Sequence, residues 1–221
     1  EARAELVVLL LKQPKISFDT ETTGVDANLV DLVGLSFSIE PGKGYYIPTP
    51  ENREETLAIL EEFRPVFENE TIVKIGQNIK YDLLVLKWYG IDLKGELFDT
   101  MLAHYLIDPD TRHGMDVLSE NYLGYTPISI TKLIGPKGKG QLNMKDVPVE
   151  KVVDYAAEDA DVTLQLANVF EPMLAERNAS KLASEIENPL IYVLADMEKE
   201  GVRIDAETLA NYSAQLQEEI L

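Results

Sequence analysis

The stretch Lys15-Ile-Ser-Phe-Asp-Thr-Glu-Thr22 carries β-branched and aromatic residues between Pro14 and Gly24, a composition and punctuation that predict a strand. Residues two apart in a strand share a face, so Asp19 and Glu21 project to the same side, roughly 7 Å apart along the chain. Two acids on one face of an otherwise apolar strand are costly. Adjacent like charges in a partly buried place raise a pKa or call for a cation, and a hard divalent ion with oxygen ligands is the usual remedy. The bland alternative places both acids in solvent at the strand end, where the following turn begins.

Outward from this strand, residues 30–39 and 44–48 are apolar or aromatic runs split by the turn Glu40-Pro-Gly-Lys43, so 15–49 is expected to form a three-stranded antiparallel meander. The period then changes. Leu57, Leu60, Phe63, Val66 and Phe67 fall at helical spacing within 52–67, a helix able to cross over to a fourth strand at 71–77. A helix over 80–89, a short extended piece at 93–98 and a helix over 100–107 with Asp99 as its N-cap complete an α/β layout with a mixed five-stranded sheet. Residues 109–147 are loop-rich, with short helices near 115–122 and 130–133 and a flexible, locally basic Gly-Pro-Lys-Gly-Lys-Gly at 135–140. A long helix is expected from Val149 to about 178 and another from 180 to 200, ended by Gly201. A brief extended Val202-Arg-Ile leads to a last helix capped by Asp205, whose stripe of Leu209, Tyr212, Leu216 and Ile220 calls for a partner outside this sequence.

Composition narrows the chemistry. The 221 residues are 45% apolar, enough for one packed domain and a remainder. With 39 Asp and Glu against 20 Lys and Arg, the net charge is −19, the reverse of a surface that grips nucleic acid by broad phosphate neutralisation. Cysteine is absent and histidine occurs twice, which excludes disulfides, thiolate zinc sites and cysteine nucleophiles. No apolar run approaches the roughly 20 residues that span a bilayer, so a cytoplasmic protein without membrane contact is expected, and the lack of an initiator Met suggests an excised fragment.

Two further acidic segments stand out. In Gly76-Gln-Asn-Ile-Lys-Tyr-Asp82 a strand hands over to a helix, with Asn78 as candidate N-cap and Asp82 in the first turn, where the helix dipole favours an anion. A strand end in an α/β sheet is also where ligands usually bind. In Val153-Asp-Tyr-Ala-Ala-Glu-Asp-Ala-Asp-Val162 four acids compete. At about 100° per residue, Tyr155 and Asp159 share a stripe with Val152, Ala156 and Val162, while Asp154, Glu158 and Asp161 lie off it. Asp159 is therefore the acid expected to face inward, with Tyr155 one turn before it.

Together, Phe18-Asp-Thr-Glu-Thr-Thr23, Gly76-Gln-Asn-Ile-Lys-Tyr-Asp82, Phe98-Asp-Thr-Met-Leu102, Arg112-His113 and Tyr155-Ala-Ala-Glu-Asp-Ala-Asp-Val-Thr-Leu-Gln-Leu166 resemble the 3′→5′ proofreading exonuclease domain of bacterial family A DNA polymerases, the DNA polymerase I type. After residue 180, Asn188-Pro-Leu-Ile-Tyr-Val-Leu-Ala-Asp-Met-Glu-Lys-Glu-Gly-Val-Arg-Ile-Asp205 resembles the entry into the polymerase domain. The resemblance implies a ribonuclease H-like fold over residues 1–177 and the start of a polymerase domain over 178–221. It implies that Asp19, Glu21, Asp82 and Asp159 hold two divalent ions, Mg²⁺ or Mn²⁺, one making the attacking water more acidic and the other neutralising the leaving oxygen. Tyr155 would orient the water, since a phenol of pKa near 10 is a poor base at neutral pH. The resemblance further places Gln77, Asn78 and Tyr81 near the last nucleotides of a frayed or single-stranded DNA 3′ end, Arg112 on a phosphate, and an apolar wedge at Val25, a smaller residue than the leucine associated with that place. It implies a monomeric, nucleoid-associated part of a longer polymerase chain serving replication and repair. His104 and His113 are expected to be structural. A ribonuclease D-like RNA exonuclease shares the four acids and the tyrosine, and a catalytically silent polymerase module is the rival outside enzymes; the polymerase-like text after Asn188 argues against the first and the intact acids against the second.

Overall fold

In the computed structural model, which describes residues 1–220, the chain runs α1 (Ala2–Leu10), β1 (Lys15–Thr22), β2 (Leu32–Glu40), β3 (Lys43–Pro48), α2 (Arg53–Phe67), β4 (Val73–Gly76), α3 (Ile79–Trp88), β5 (Leu97–Asp99) and α4 (Thr100–Ile107). Short turns α5 (Met115–Leu118) and α6 (Thr131–Ile134) lead to the long α7 (Val149–Glu176), followed by α8 (Ser180–Leu182), α9 (Asn188–Glu200) and α10 (Ala206–Ile220). The five strands form one sheet in the order β3-β2-β1-β4-β5. β1 pairs antiparallel with β2, β2 with β3, and β1 to β4 to β5 run parallel. The meander and the crossovers are those the periodicity predicts; β4 is shorter than the run expected at 71–77, and β5 starts later than the piece expected at 93–98 and takes in Asp99.

The two faces of the sheet are built differently. On one face Phe18, paired with Phe37 across β1 and β2, meets α2, with Phe67 edge-on to Phe18 at 5.3 Å and Phe63 stacked on Phe37 at 5.4 Å. These rings anchor the main apolar core, which also takes Leu83 and Leu86 from α3. On the other face the β1–β2 pairs are Ser17 with Ser38, Asp19 with Ser36 and Glu21 with Gly34, and the three serines are fully buried. This face receives α7, which presents Ala156, Ala157 and Ala160. The approach is close enough that a Cβ on Gly44 of β3 would stand 2.3 Å from the Ala157 carbonyl oxygen. Small residues on both partners let the helix lie low on the sheet, which sets the depth at which Asp159 enters. The C-terminal half of α7 carries Val162, Leu166, Phe170 and Leu174 into a second cluster with Ala103 and Ile107 of α4.

Asp99 caps more than the sequence suggests. Its carboxylate accepts from the Met101 and Leu102 backbone N–H groups at 2.8 and 3.3 Å, the expected cap of α4, and also from those of Asn78 and Ile79 at 3.1 and 2.9 Å. The start of α3 is thus satisfied from the neighbouring strand end. Asn78 occupies the N-cap position but sits at a left-handed φ of 58° and makes no side-chain cap, which corrects the expectation that its amide would close the helix. The single helix expected over 180–200 is interrupted by a wide turn at Ala183–Glu187. Pro189 lacks the N–H that an unbroken α-helix would send back to residue 185, so the ladder widens there.

α9 docks on α3 through Ile191 and Ala195, both in the main core, and through the ion pairs Lys80–Glu198 and Lys87–Asp196. Residues 201–205 carry no regular structure, and Asp205 accepts from the Thr208 N–H at 3.0 Å to open α10, all of whose described side chains are exposed. No helix among the described residues is long and apolar enough to cross a membrane. Gly44→Ala is expected to lower stability by about 1–3 kcal/mol, because the methyl group must push α7 from the sheet; an unchanged urea midpoint would show that the helix does not rest on this glycine.

Candidate active site

β1 and α7 deliver three carboxylates to one place. Oxygens of Asp19, Glu21 and Asp159 all lie within 4.8 Å of one another. Glu21 and Asp159 are buried, and Asp19 is half-buried. Glu21 Oε1 and Asp159 Oδ1 are shielded from solvent with no hydrogen-bond partner, an arrangement that is expensive unless a cation completes it. Burial pushes the Asp19 carboxyl up to about 7. Glu21 is held well above the usual carboxylate range, first by burial and then by Asp19, Asp159 and Asp82. Asp159 is raised by burial and by Asp19, with an opposing hydrogen bond from Tyr155. The Tyr155 phenol in turn keeps its proton far beyond neutral pH, through burial and the neighbouring Asp159.

Asp82, from the first turn of α3, is buried beside this group and outside the set of three. Its Oδ1 accepts from the Thr20 backbone N–H at 3.0 Å and from the Thr20 hydroxyl at 2.5 Å. Thr20 points to the opposite side of β1 from Asp19 and Glu21, so its hydroxyl draws Asp82 against the back of the strand. Burial and Asp19 raise the Asp82 carboxyl, and the Thr20 bonds oppose the rise. Four acids were expected to meet, and the structure brings together three with the fourth adjacent.

The three carboxylates and Tyr155 line a cleft of about 560 Å³. One wall carries Val25, Asn78 and Tyr81. The Tyr81 hydroxyl donates to the Gly24 carbonyl at 2.7 Å and meets the Thr22 hydroxyl at 2.5 Å, fixing the turn that holds Val25, which is 96% exposed. The 134–144 segment supplies a further part of the lining, with Ile134, Lys137, Gln141, Leu142 and Asn143. Gln77 and Arg112 are not among the lining residues. The Gln77 amide instead donates to the His113 carbonyl at 2.8 Å and accepts from the Thr100 hydroxyl. His113 is further pinned by an Nδ1 to Nδ1 hydrogen bond of 2.7 Å with His104, whose other ring nitrogen meets the Tyr122 hydroxyl at 3.0 Å. Both histidines therefore serve the packing of the 108–114 loop, on which Arg112 is exposed. Two other acids of α7 are engaged away from the cleft: Glu158 accepts from the Tyr125 hydroxyl and the Ile128 N–H, and Asp161 from the Gly42 N–H.

Sequence reasoning missed the 134–144 wall, although its basic, glycine-rich text was a visible signal, and it missed Asn143, whose side-chain amide donates to the Thr23 carbonyl at 2.6 Å and ties that wall to the end of β1. Thr20 was missed as well, since a threonine between two acids gives no sign of a partner across the strand.

A family model described as 3′-5′ exonuclease of DNA polymerase A matches residues 1–175. DNA polymerase I of Pseudomonas aeruginosa is 38% identical over 93% of this chain and 24% of its own length, and that of Rhizobium leguminosarum is 36% identical over 91% of this chain and 22% of its own length. The chain thus spans less than a quarter of these relatives. Among solved structures, the Pol1 POL domain of M. smegmatis, complexed with DNA primer-template and dNTP, superposes with a TM-score of 0.77 at 22% identity, covering 98% of this chain and 34% of that one. Brucella melitensis NrnC with bound Mg²⁺ gives a TM-score of 0.71 at 21% identity, covering 88% and 91%. With well over half of its length matched by the family model, the chain belongs to the 3′-5′ exonuclease family of DNA polymerase A.

Proposed function

We propose that this domain hydrolyses the last phosphodiester of a frayed or single-stranded DNA 3′ end, removing mismatched nucleotides as the proofreading part of a longer DNA polymerase I, with residues 178–221 leading toward the polymerase half. The observation that carries this reading is the pair of partnerless buried oxygens on Glu21 and Asp159 within a mutually repelling carboxylate cluster on the floor of an open cleft. Such a cluster fits divalent cations, and its all-oxygen donor set suits hard Mg²⁺ or Mn²⁺. Asp19, Glu21 and Asp159 would hold two ions, with Asp82 contributing the oxygen that Thr20 does not engage. When bound, the ions supply a more acidic water and a counter-charge for the departing 3′ oxygen.

The chain's own residues do the rest. Tyr155, kept protonated by burial and Asp159, is no base, and its phenol positions the attacking water as a hydrogen-bond partner. Asn78, its side chain uncommitted because Asp99 caps α3, faces the terminal nucleotide together with Tyr81, while Val25 at the rim separates it from its neighbour. Gln77 contributes by fixing the 108–114 loop, from which Arg112 reaches a phosphate. The rest of the polymerase chain delivers the DNA end, in the bacterial cytoplasm at the nucleoid.

Incubated with a 3′-unpaired oligodeoxynucleotide and Mg²⁺, the 221-residue chain is expected to release mononucleotides from the 3′ end, and Asp19→Ala to lose at least about a hundredfold in rate. Equal activity in both proteins would sink the site assignment, and faster degradation of RNA than of DNA would favour a ribonuclease. For Tyr155→Phe a rate reduced about tenfold with metal affinity kept is expected; loss of metal binding, read by calorimetry, would contradict a positioning role. The raised carboxyls also fix a sign for stability. Their folded pKa values exceed the unfolded ones; for Asp19, raised to about 7, the folded state binds more protons between about pH 4 and 7 and the metal-free protein loses stability as pH rises, and the raised Glu21 and Asp159 carboxyls act in the same direction. Thermal melts should show Mg²⁺ or Mn²⁺ recovering this loss at pH 8 and doing little at pH 5, with Glu21→Gln flattening the pH slope; a metal effect independent of pH would contradict it.

A further inference from the structure

The carboxylate floor explains where a scissile phosphate can be met, and it leaves the rest of the strand unaccounted for. Each additional nucleotide that enters the cleft brings one more negative charge toward a chain whose net charge is −19. Two divalent ions offset four carboxylates and leave no surplus positive charge on the floor for a neighbouring phosphate, and Arg112, assigned to a phosphate above, stands outside the cleft lining. Among the described residues lining the cleft, one basic side chain is present, Lys137.

The setting of Lys137 is specific. It stands on the Gly135-Pro-Lys-Gly-Lys-Gly140 loop. The loop is closed at its base by the Leu142 N–H donating to the Ile134 carbonyl at 2.8 Å, and within it the Gln141 N–H donates to the Gly138 carbonyl at 3.1 Å. Gly135 and Gly138 adopt φ values of 83° and 148°, which only glycine takes without strain, so the loop's path is built into its sequence. One residue past its base, Asn143 is tied to the Thr23 carbonyl at 2.6 Å, two positions beyond Glu21. The loop and the strand that carries the acids are thereby tied together, and Lys137 lines the same cleft as Asn78 and Tyr81. Lys137 is exposed and, among the described residues, forms no ion pair, in contrast to nearby Lys145, which faces Glu51 at 3.8 Å. Lys139, on the same loop, is exposed and does not line the cleft.

We propose that Lys137 is a substrate-binding residue of this nuclease, taking a non-scissile phosphate of the strand's 3′ end while the carboxylate floor takes the scissile one. This rests on the exonuclease reading of the same cleft. The loop thereby acts as the phosphate-holding wall of a site whose floor repels phosphate, and it fixes the strand's register from the backbone without reading its bases.

The test measures steady-state kinetics of the 221-residue chain and of its Lys137→Ala, Lys137→Arg and Lys139→Ala variants on a 3′-single-stranded oligodeoxynucleotide, at several salt concentrations. A second set of substrates carries a neutral methylphosphonate at one of the first three linkages upstream of the scissile bond. Lys137→Ala is expected to raise KM about tenfold with kcat nearly unchanged, and to make the logarithmic salt slope of kcat/KM shallower by about 0.7, one single-strand phosphate contact. Lys137→Arg should restore most of the affinity, and Lys139→Ala should behave as the parent. At one linkage the methylphosphonate should penalise the parent and leave Lys137→Ala unaffected. An active parent with Lys137→Ala indistinguishable from Lys139→Ala, or a methylphosphonate penalty equal in parent and Lys137→Ala at every linkage, overturns the inference alone. A parent without metal-dependent 3′→5′ release overturns the exonuclease reading and this inference with it.

Discussion

The constraint on which the rest depends is the mutual repulsion of Asp19, Glu21 and Asp159, brought within 4.8 Å and largely removed from water. Left to itself such a group would neutralise by protonation or push apart, and the raised carboxyls show the first tendency. The second is resisted by packing. Ser17, Ser36, Ser38 and Gly44 leave a shallow bed on the sheet, and the alanines of α7 fill it, so the helix cannot retreat from β1 without opening a void along its length. Stability is spent on one side of the sheet to hold charges together and recovered on the other, where Phe18, Phe37, Phe63 and Phe67 interlock.

The same division explains why Asp82 is placed differently from the other three acids. β1 alternates its faces, so an acid arriving from α3 approaches the apolar side and must reach around the strand. The Thr20 hydroxyl and N–H meet it there. Because those bonds stabilise the charged form, Asp82 can stay close to Asp19 without joining the cluster, and its remaining oxygen is the part of it that can serve an ion. Asp99 does comparable work one strand further on. By capping α3 and α4 together it sets the depth at which Asn78, Tyr81 and Asp82 are presented, and it frees the Asn78 amide from the helix end.

How much of this was legible in the sequence follows from what is local. The face shared by Asp19 and Glu21, and the stripe that selects Asp159 over Asp154, Glu158 and Asp161, are consequences of helix and strand periods, and the structure has them as the periods require. The strand order could be expected from the meander and the crossovers. The close descent of α7 could not, because small residues signal permission for contact and name no partner. Gln77 shows the opposite limit: its neighbours in the second motif line the cleft, yet its amide is turned to Thr100 and His113, groups remote in sequence whose arrival no local pattern announces. The 135–140 loop read as flexible and locally basic, with no site attached, because glycine and proline mark a turn without telling what it faces.

The net charge of −19 takes on a different meaning once cations are assigned. Arg3, Lys15, Arg64, Lys80, Lys87 and Lys94 are committed to ion pairs, Lys74 is buried against the Asn69 and Lys94 carbonyls, and Arg53 lies over the Tyr89 ring. These groups hold elements to one another: Lys80 and Lys87 fasten α9 to α3, and Lys15 fastens β1 to α7. The eight cations so allocated, of 20 in the chain, serve the fold, and at a net charge of −19 like-charge repulsion disfavours any strand lying flat along the surface. Approach through the cleft, where carboxylates can be offset by divalent ions, is the geometry in which that repulsion is smallest. On the exonuclease reading proposed above, the acidity of the chain would act as a filter on the mode of binding, opposing broad contact and leaving access to a strand end.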